Sequence, residues 1–313
     1  MFVGITSGHE FWGLPTFGLV EQLGYDGLFC GEHLLHSRPV WDAVSMTTAM
    51  ACATERIAVG VAAAIAPLRH PSLLAKEFAG VDRISGGRAV LALGTGGDNR
   101  RELPAAGVPN ELLGRRTDEV IDIVRLYFSG ARFSWPGDLY PLDDVWLNPL
   151  PVRPGGPPLW VAGRKQPSVR RAALRGDGFL PYMYTAERCG RAYEEVRAQA
   201  RAARRILMPD FAFGAYVYVS YGADHAAAVR RGDEHLAWRY SEPRYLTDLS
   251  GKYVVAGDAD ACVEQLLAYR AAGCTHLVLS LVRDERQPPE PELEAFAAEV
   301  LPRLRAAAAP SST

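Results

Sequence analysis

A glutamate and a histidine stand side by side where a short apolar segment of the sequence ends. The segment covers residues 26–30, and Glu32 and His33 follow it. Histidine titrates near neutral pH, so a carboxylate and an imidazole at such a position are typical of proton transfer. We therefore predict Glu32 and His33 as catalytic residues. The alternatives are a histidine that only packs in the structure, and a metal site that also uses His36.

Two adjacent cations, Arg164 and Lys165, stand immediately before a predicted helix that begins at Pro167. The N-terminus of a helix carries a partial positive charge, which repels cations. Two cations are favourable there if an anion binds both the backbone N–H groups and the guanidinium. The sequence thus favours a phosphate-binding turn over its alternative, a solvated basic loop. Arg170 and Arg171 fall inside the helix, and we expect both on a solvated face.

A glycine cluster, Gly94-Thr95-Gly96-Gly97, follows another apolar segment, as in a dinucleotide-binding loop. The fingerprint G-x-G-x-x-G fails, because position 99 is Asn and no helix starts at once. Glycines also permit the backbone to approach a flat ligand closely, and we favour this interpretation. The small residues 62–64 end a further apolar segment and would leave room for a large ring. Alanines that simply pack against a helix explain them equally well.

Short apolar segments alternate with segments of helical period along almost the whole chain. The predicted strands cover residues 2–6, 26–30, 57–63, 89–94, 159–162, 178–182, 212–219 and 276–282. The predicted helices cover residues 15–23, 40–53, 71–83, 115–128, 167–175, 186–204, 223–239, 258–272 and 290–307. Strict alternation predicts a parallel sheet, and eight such units fit a closed (β/α)8 TIM barrel of the α/β class. Active sites of such barrels lie at the carboxyl ends of the strands, where the residues above stand.

Two long segments interrupt the alternation. Residues 131–158 are rich in proline, and we predict a β-hairpin around Pro136-Gly137 followed by an extended strap, inserted before the fifth strand. Residues 240–252 form a second long loop. No proline-, serine- or glycine-rich linker divides the chain, so we predict a single domain over residues 1–307. A flexible C-terminal tail is predicted at 308–313.

The composition excludes several classes of protein. Lys and Arg number 34 against 36 Asp and Glu, and the net charge of −2 provides no general field for nucleic acid or an anionic membrane. With 48% hydrophobic residues the chain can bury a sizeable core. Its longest apolar stretch, residues 57–68, is too short to span a bilayer. We expect a globular enzyme with a small-molecule substrate, without a nucleic-acid or membrane partner.

The cysteines and the N-terminus bear on the cellular compartment. The five cysteines are odd in number and no C-x-x-C motif occurs, so neither a disulfide framework nor a thiolate zinc site is expected. Residues 1–10 contain no basic segment followed by an apolar core, so no signal peptide is visible. Both observations predict a cytoplasmic protein.

With these residues in place, the sequence resembles the luciferase-like monooxygenase superfamily of flavin- and deazaflavin-dependent barrels. The stretches that carry the resemblance are LGYDGLFCGEH (23–33), ERIAVGVAAAIAPLRHPSLLAKEFAGVDRISGGRAVLALGTGG (55–97), LNPLPVRPGGPPLWVAG (147–163) and AGDADACVEQLLAYRAAGCTHLVL (256–279). Their order and spacing are specific to the family. The resemblance implies a (β/α)8 barrel that binds reduced FMN or coenzyme F420 at the carboxyl ends of its strands, and a homodimer.

The resemblance also implies roles for particular residues. Family members carry a bulge with a non-prolyl cis peptide that backs the ring of the cofactor, and it maps to Ala62-Ala63 or one residue later. Glu32 and His33 map near the reactive face of the ring. The residues implied in cofactor binding are Ala62, Ala63, Thr95, Gly96, Gly163, Arg164 and Lys165.

Other residues at the strand ends and near the predicted mouth of the barrel are candidates for the substrate pocket: Ser7, His9, Trp12, Asp98 and Tyr182. The turn after the fifth strand departs from the family, since Arg-Lys-Gln replaces a small, hydroxyl-rich turn. Its extra charge suits the longer anionic tail of F420, or a tighter hold on the phosphate of FMN. The chain also lacks the large insertions of long-chain FMN monooxygenases, so F420 is slightly favoured.

The function implied is that of an oxidoreductase. With F420 it would transfer a hydride to or from an organic substrate, and with reduced FMN it would act as a monooxygenase. Two other functions stay open: a metal-dependent barrel hydrolase that uses Glu32, His33, His36 and Asp98, and a non-catalytic flavin-binding relative. No metal is expected, because the first strand lacks the His-x-His of many barrel hydrolases.

Overall fold

Eight parallel strands close into a barrel in the computed structural model, which describes residues 1–8, 12–36, 38–97, 99–240, 250–284 and 286–307. The strands are β1 (Phe2–Thr6), β2 (Gly27–Cys30), β3 (Ala58–Ile65), β4 (Ala89–Gly94), β5 (Phe133–Trp135), β6 (Leu142–Val145), β7 (Leu159–Ala162), β8 (Gly178–Leu180), β9 (Ala212–Tyr221), β10 (Val254–Gly257) and β11 (His276–Leu281). The barrel runs β1-β2-β3-β4-β7-β8-β9-β11 and returns to β1. The predicted (β/α)8 barrel is confirmed.

Helices connect the strands and cover the barrel. They are α1 (Leu14–Gln22), α2 (Ala43–Ala53), α3 (Pro71–Ile84), α4 (Glu102–Ala105), α5 (Leu113–Phe128), α6 (Gln166–Arg175), α7 (Ala186–Ala202), α8 (His225–Tyr240), α9 (Ser250–Tyr253), α10 (Ala259–Ala271), α11 (Glu290–Glu299) and α12 (Leu301–Ala306). The helix predicted over 290–307 is thus two helices, because Pro302 cannot donate to the preceding turn. Within the described part of the chain, no helix combines the length and hydropathy that crossing a membrane requires.

The strand β10 was missed by the sequence analysis. It pairs in parallel with the second half of β9, from Val254 opposite Tyr218 to Gly257 opposite Tyr221. The first half of β9 pairs with β8. Two strands, β8 and β10, therefore pair with successive parts of the same edge of the ten-residue strand β9. Four residues next to a long loop carry too little periodicity to be distinguished from the loop itself.

The core has two layers around the wall of strands. One buried cluster draws its residues from the strands of the barrel alone, among them Phe29, Val90 and Trp160. A second and larger cluster combines the opposite faces of the strands with the helices, as Leu91 and Phe78 illustrate. Strands covered on both sides in this way are typical of parallel sheets.

The insertion before β7 is a hairpin and a strap, as predicted. β5 and β6 pair antiparallel, with Phe133 opposite Val145. The strap that follows is fastened to α3, because the buried carboxylate of Asp82 accepts backbone N–H bonds from Val152 (2.8 Å) and Arg153 (3.0 Å). Residues 241–249 of the second predicted loop and the tail predicted at 308–313 lie outside the described residues, and the single-domain division stays a prediction.

A close approach between β3 and β4 requires glycine at position 60. A Cβ added to Gly60 would lie 2.2 Å from the carbonyl oxygen of Val90. Since that oxygen belongs to the backbone of the neighbouring strand, a side chain would force the two strands apart. The carboxyl ends of both strands contribute to the cleft described below, so the spacing set by Gly60 also positions the site.

We expect the Gly60→Ala substitution to lower the free energy of unfolding by about 3 kcal/mol, because β4 must shift to accommodate the methyl group. Gly80→Ala is the matched control, since an added Cβ at Gly80, inside α3, meets nothing within 4 Å. That variant should gain about 0.5–1 kcal/mol from helix propensity. Urea denaturation followed by circular dichroism measures both. Equal stability of the two variants would contradict the strand contact.

Candidate active site

The carboxyl ends of the strands surround an open cleft of about 410 Å³. Each residue that the sequence predicts as catalytic or cofactor-binding lines it: Glu32, His33, Ala62, Ala63, Thr95, Gly96, Gly163, Arg164 and Lys165. These residues come from the end of β3 and from the loops after β2, β4 and β7, and barrel closure brings them to one rim. The position of the cleft is therefore that of the active site in barrels of this architecture.

The floor of the cleft is made of small residues. The peptide bond between Ala62 and Ala63 is cis, and the pairing of β3 with β4 shifts register between Val61 and Ala64, where the resemblance places the bulge. A Cβ added to Gly94 would lie 3.7 Å from the Cβ of Ala63 and 3.9 Å from that of Ala162, so these three residues meet at one surface. Methyl groups and bare backbone leave space for a flat ring.

His33 is held by a carboxylate that the sequence analysis did not single out. Its Nδ1 lies 3.3 Å from Oε1 of Glu102, which begins α4 and is 1% exposed. Glu102 also accepts backbone N–H bonds from Leu34 and from Leu35, the latter at 3.2 Å. Burial alone would raise the pKa of Glu102, but these bonds and the imidazole outweigh it and lower that pKa. With Nδ1 engaged by Glu102, Nε2 of His33 is left for proton transfer in the cleft.

A second imidazole packs on the first. The ring of His36 stacks on that of His33 with centroids 4.8 Å apart, and its Nδ1 accepts the backbone N–H of Arg38 at 3.1 Å. Burial, and then the neighbouring His33, lower the pKa of His36 to about 4. His36 is therefore neutral at pH 7 and supports the ring of His33 without competing for its proton.

Glu32 is engaged differently from the prediction. Its Oε2 accepts the backbone N–H of Ile65 at 2.7 Å, and its Oε1 pairs with Arg69. Successive side chains of an extended segment point to opposite sides, so Glu32 turns toward β3 while His33 turns toward Glu102. Both oxygens have these partners, so the contacts favour a positioning role for Glu32, and its predicted role in proton transfer stays a prediction.

The opposite end of the cleft is cationic. Gly163 has a φ of +149°, and a Cβ there would lie 2.8 Å from that of Ser168, so glycine permits the first turn of α6 to approach β7. Arg164 and Lys165 follow it. Arg171 also lines the cleft and is only 5% exposed, because its Nε donates to Asp118 at 2.6 Å. The expectation that Arg171 is solvated is wrong, whereas Arg170 is exposed as predicted.

The predicted substrate-pocket residues fall into three groups. Tyr182 lines the cleft, and Trp12 lines a smaller adjoining cavity of about 30 Å³ that shares His33 with it. Ser7 is buried and lines neither cavity. Its backbone N–H donates to the carbonyl of Phe29 at 2.9 Å. His9 and Asp98 lie outside the described residues.

Within the described residues the metal alternative finds no set of ligands, and Asp98, which it also uses, lies outside them. Glu32 is engaged by Ile65 and Arg69, whereas His33 faces Glu102. Among the ranges that the structure describes, no group of three or more His, Cys, Asp or Glu side chains could hold a metal ion.

The sequence contained little that could identify Glu102 and Arg171 as residues of the cleft. Glu102 lies in a short segment between glycines and prolines, with no spacing that connects it to His33, 69 residues earlier. Arg171 stands next to the exposed Arg170 in an arginine-rich helix. The one usable signal is the helical period, which turns neighbouring residues to different faces of α6.

The Glu102→Gln variant should lose about 1–2 kcal/mol of unfolding free energy at pH 7, because hydrogen bonds to a charged acceptor are stronger than those to a neutral one. The folded pKa of Glu102 is below the ordinary value of 4.5. Its contribution is therefore complete above that value and is lost as the pH falls through the lowered pKa. Urea denaturation at several pH values should show the two proteins converging in acid.

Glu111→Gln is the matched control, because Glu111 is exposed in the turn before α5. It should have wild-type stability at every pH. A constant difference between wild type and Glu102→Gln down to acid pH would show that the ionised carboxylate is not what holds this region.

Comparison with known proteins agrees with this geometry. The chain is 29% identical over 317 residues to the F420-dependent glucose-6-phosphate dehydrogenase of Beutenbergia cavernae, covering 92% of this chain and 91% of that protein. Two solved structures share the fold at 18% identity, each covering 97% of this chain and 99% of the other. They are an F420-dependent secondary alcohol dehydrogenase in complex with an F420–acetone adduct (TM-score 0.82) and the coenzyme F420-dependent tetrahydromethanopterin reductase of Methanopyrus kandleri (TM-score 0.79).

The family model described as luciferase-like monooxygenase matches residues 16–276, which is most of the chain. The match includes the loops that carry His33, the Ala62–Ala63 peptide, Glu102 and the turn at Arg164. The chain belongs to the luciferase-like monooxygenase family.

Proposed function

We propose that this chain is an F420-dependent oxidoreductase that transfers a hydride to or from an organic substrate. The observation that carries the proposal is the layout of the cleft. A floor of small residues at Ala62–Ala63 lies between an imidazole–carboxylate pair, His33 and Glu102, and a cationic turn at Arg164. A ligand with a flat ring and an anionic tail fits this layout, with the ring on the floor and the tail at the cationic turn.

The cationic end supports F420 as the cofactor. Arg164, Lys165 and Arg171 line it, and guanidinium groups bind phosphate and carboxylate oxygens well. F420 carries both kinds of anion in its tail, whereas FMN carries one phosphate. The named relatives, an F420-dependent dehydrogenase and two F420-dependent neighbours in fold, support the same choice.

The proposed roles of the residues follow from their positions. A deazaflavin supplies a two-electron hydride acceptor or donor when bound. His33 moves the proton that accompanies oxidation or reduction of the substrate, at Nε2, while Glu102 holds its Nδ1. Gly94, Ala162 and the Ala62–Ala63 peptide support the ring, and Tyr182 and Trp12 form part of the substrate pocket.

Monooxygenation with reduced FMN is the second candidate function, favoured by the description of the matching family model. Fluorescence titration with F420 and FMN, each oxidised and reduced, separates the two. We expect F420 to bind at least about tenfold more tightly, which corresponds to about 1.4 kcal/mol. Tighter binding of FMN, with oxygen consumption on adding substrate, would overturn the choice.

The same titration tests the cationic turn. The Arg164→Gln variant should bind F420 about tenfold more weakly, because a hydrogen bond to a charged group contributes about 1.5–3 kcal/mol. Arg170→Gln is the control, since Arg170 lies on α6, the helix that follows the turn, but is exposed and not part of the cleft lining. Equal effects of the two variants would mean that general charge, and not the turn, attracts the cofactor.

His33→Ala should retain F420 binding within about threefold but lose turnover by about 10²–10⁴-fold, the usual contribution of a general acid or base. The assay follows F420 reduction with glucose 6-phosphate and with a secondary alcohol. His225→Ala, at the exposed start of α8, is the control. Unchanged kcat in His33→Ala would remove His33 from the mechanism.

We also propose that the protein acts in the cytoplasm as a homodimer. All five cysteines are free thiols, and four of them are buried, as expected for a reducing compartment. The dimer is the assembly that the family resemblance implies, and sedimentation analysis of the purified protein measures it.

A further inference from the structure

An ionic cluster centred on Arg69 lies next to the cleft, and the proposed function does not explain it. Arg69 lies in the turn after β3, outside the cleft lining, and pairs with three carboxylates. They are Glu32, Asp42 at 2.7 Å and Glu77 at 3.4 Å. The side chains of Arg69 and Glu32 are 17% and 6% exposed, so this pair is shielded from solvent, whereas Asp42 is 52% exposed.

We propose that Arg69 is a positioning residue that acts through Glu32 to hold the two strand ends that face the reaction, those of β2 and β3, in register. The proposal rests on the proposed function, because the register of the two strand ends matters for catalysis by placing His33 against the ring of the cofactor. It assigns Arg69 no contact with substrate or cofactor.

Glu32 connects the two strand ends directly. It immediately precedes His33 on the chain after β2, and its Oε2 accepts the backbone N–H of Ile65, the last residue of β3. Ile65 lies two residues beyond the Ala62–Ala63 peptide. One carboxylate therefore ties the backbone that carries the imidazole to the backbone that forms the floor of the cleft.

Arg69 favours the ionised form of that carboxylate and orients it. Glu32 is buried, and burial raises its pKa, while the guanidinium opposes that shift. Removal of the cation would leave an uncompensated buried charge, which is strongly unfavourable, so the carboxylate would take up a proton or turn outward. In both cases the bond to Ile65 weakens.

The other contacts of Arg69 show why arginine occupies this position. Asp42 caps α2 by accepting the N–H of Ser45 at 2.8 Å, and Glu77 lies on α3. A planar guanidinium can hold several carboxylates at fixed angles, which an ammonium cannot. Arg69 thus anchors Glu32 to two helices of the outer layer.

Hydrogen exchange measured on the protein without cofactor tests the proposal first. In Arg69→Gln, exchange of the Ile65 amide should accelerate at least about tenfold, as expected for a weakened bond in a local opening. Arg132→Gln is the control, since Arg132 pairs with Asp144 on the exposed hairpin. Unchanged exchange at Ile65 in a folded Arg69→Gln protein would overturn the proposal.

A double-mutant cycle on kcat tests the route through Glu32. We expect Arg69→Gln to lower kcat at least about tenfold, with KM and the Kd for F420 within about threefold, because Arg69 touches neither ligand. In a Glu32→Gln background, where the buried carboxylate is absent, the same substitution should lower kcat less than about threefold. Full additivity would mean that Arg69 acts through Asp42 or Glu77 and would overturn the route.

Arg69→Lys keeps the protein testable if Arg69→Gln does not fold. It preserves the charge beside Glu32 but loses the fixed angles to Asp42 and Glu77. Because the proposed route runs through the charge beside Glu32, Ile65 exchange should accelerate, and kcat should fall, by less than about threefold. Changes of about tenfold or more in both would overturn the proposal. Failure of the proposed function is a separate result, in which the wild-type protein does not turn over F420 while Ile65 exchange still responds to Arg69.

Discussion

The pairing of β8 with β9 closes the sheet, and the placement of the functional groups depends on that closure. Gly178 lies opposite Ala212 and Phe179 opposite Phe213, while β11 returns to β1 on the other side. Because the closed strands are all parallel, their carboxyl ends meet on one rim. Residues at the ends of β2, β3, β4 and β7 thereby line a single cleft, and the small residues at its floor keep the ring-sized space open.

Buried carboxylates fasten the segments that the barrel itself does not hold. Asp82 binds the strap, Glu102 binds the loop after β2, and Glu21 on α1 accepts three consecutive backbone N–H groups that begin at Glu55. Loop amides need partners when they leave solvent, and an ionised oxygen is a strong acceptor. For Glu21, as for Glu102, these bonds outweigh burial and lower the pKa. Glu32 differs, since burial raises its pKa even though the Arg69 guanidinium and the Ile65 amide oppose that shift.

The hydrogen-bond partner of His33 illustrates how far a sequence can be interpreted. The neighbour in sequence, Glu32, was the natural candidate, and the true partner is Glu102. An extended chain turns adjacent side chains to opposite sides, so adjacency in sequence argues against a shared hydrogen bond. The cationic turn at Arg164 and the small residues at Ala62 and Ala63 could be proposed from the sequence, because their signal is local: a residue type at the end of a strand or the start of a helix. All of them line the cleft, and their role in cofactor binding stays a prediction.

The sequence by itself determined the alternation of strands and helices, the hairpin before β7, the candidate strand ends and the resemblance to the family. Each of these depends on short-range periodicity, turn residues or motif order, which a linear chain displays directly. The tertiary structure alone decided that Glu102 holds His33, that Arg171 is buried in the wall of the cleft, that β10 joins β9 and that Arg69 secures Glu32. These contacts join residues up to 69 positions apart within a site, and only the closure of the barrel brings them within hydrogen-bonding distance.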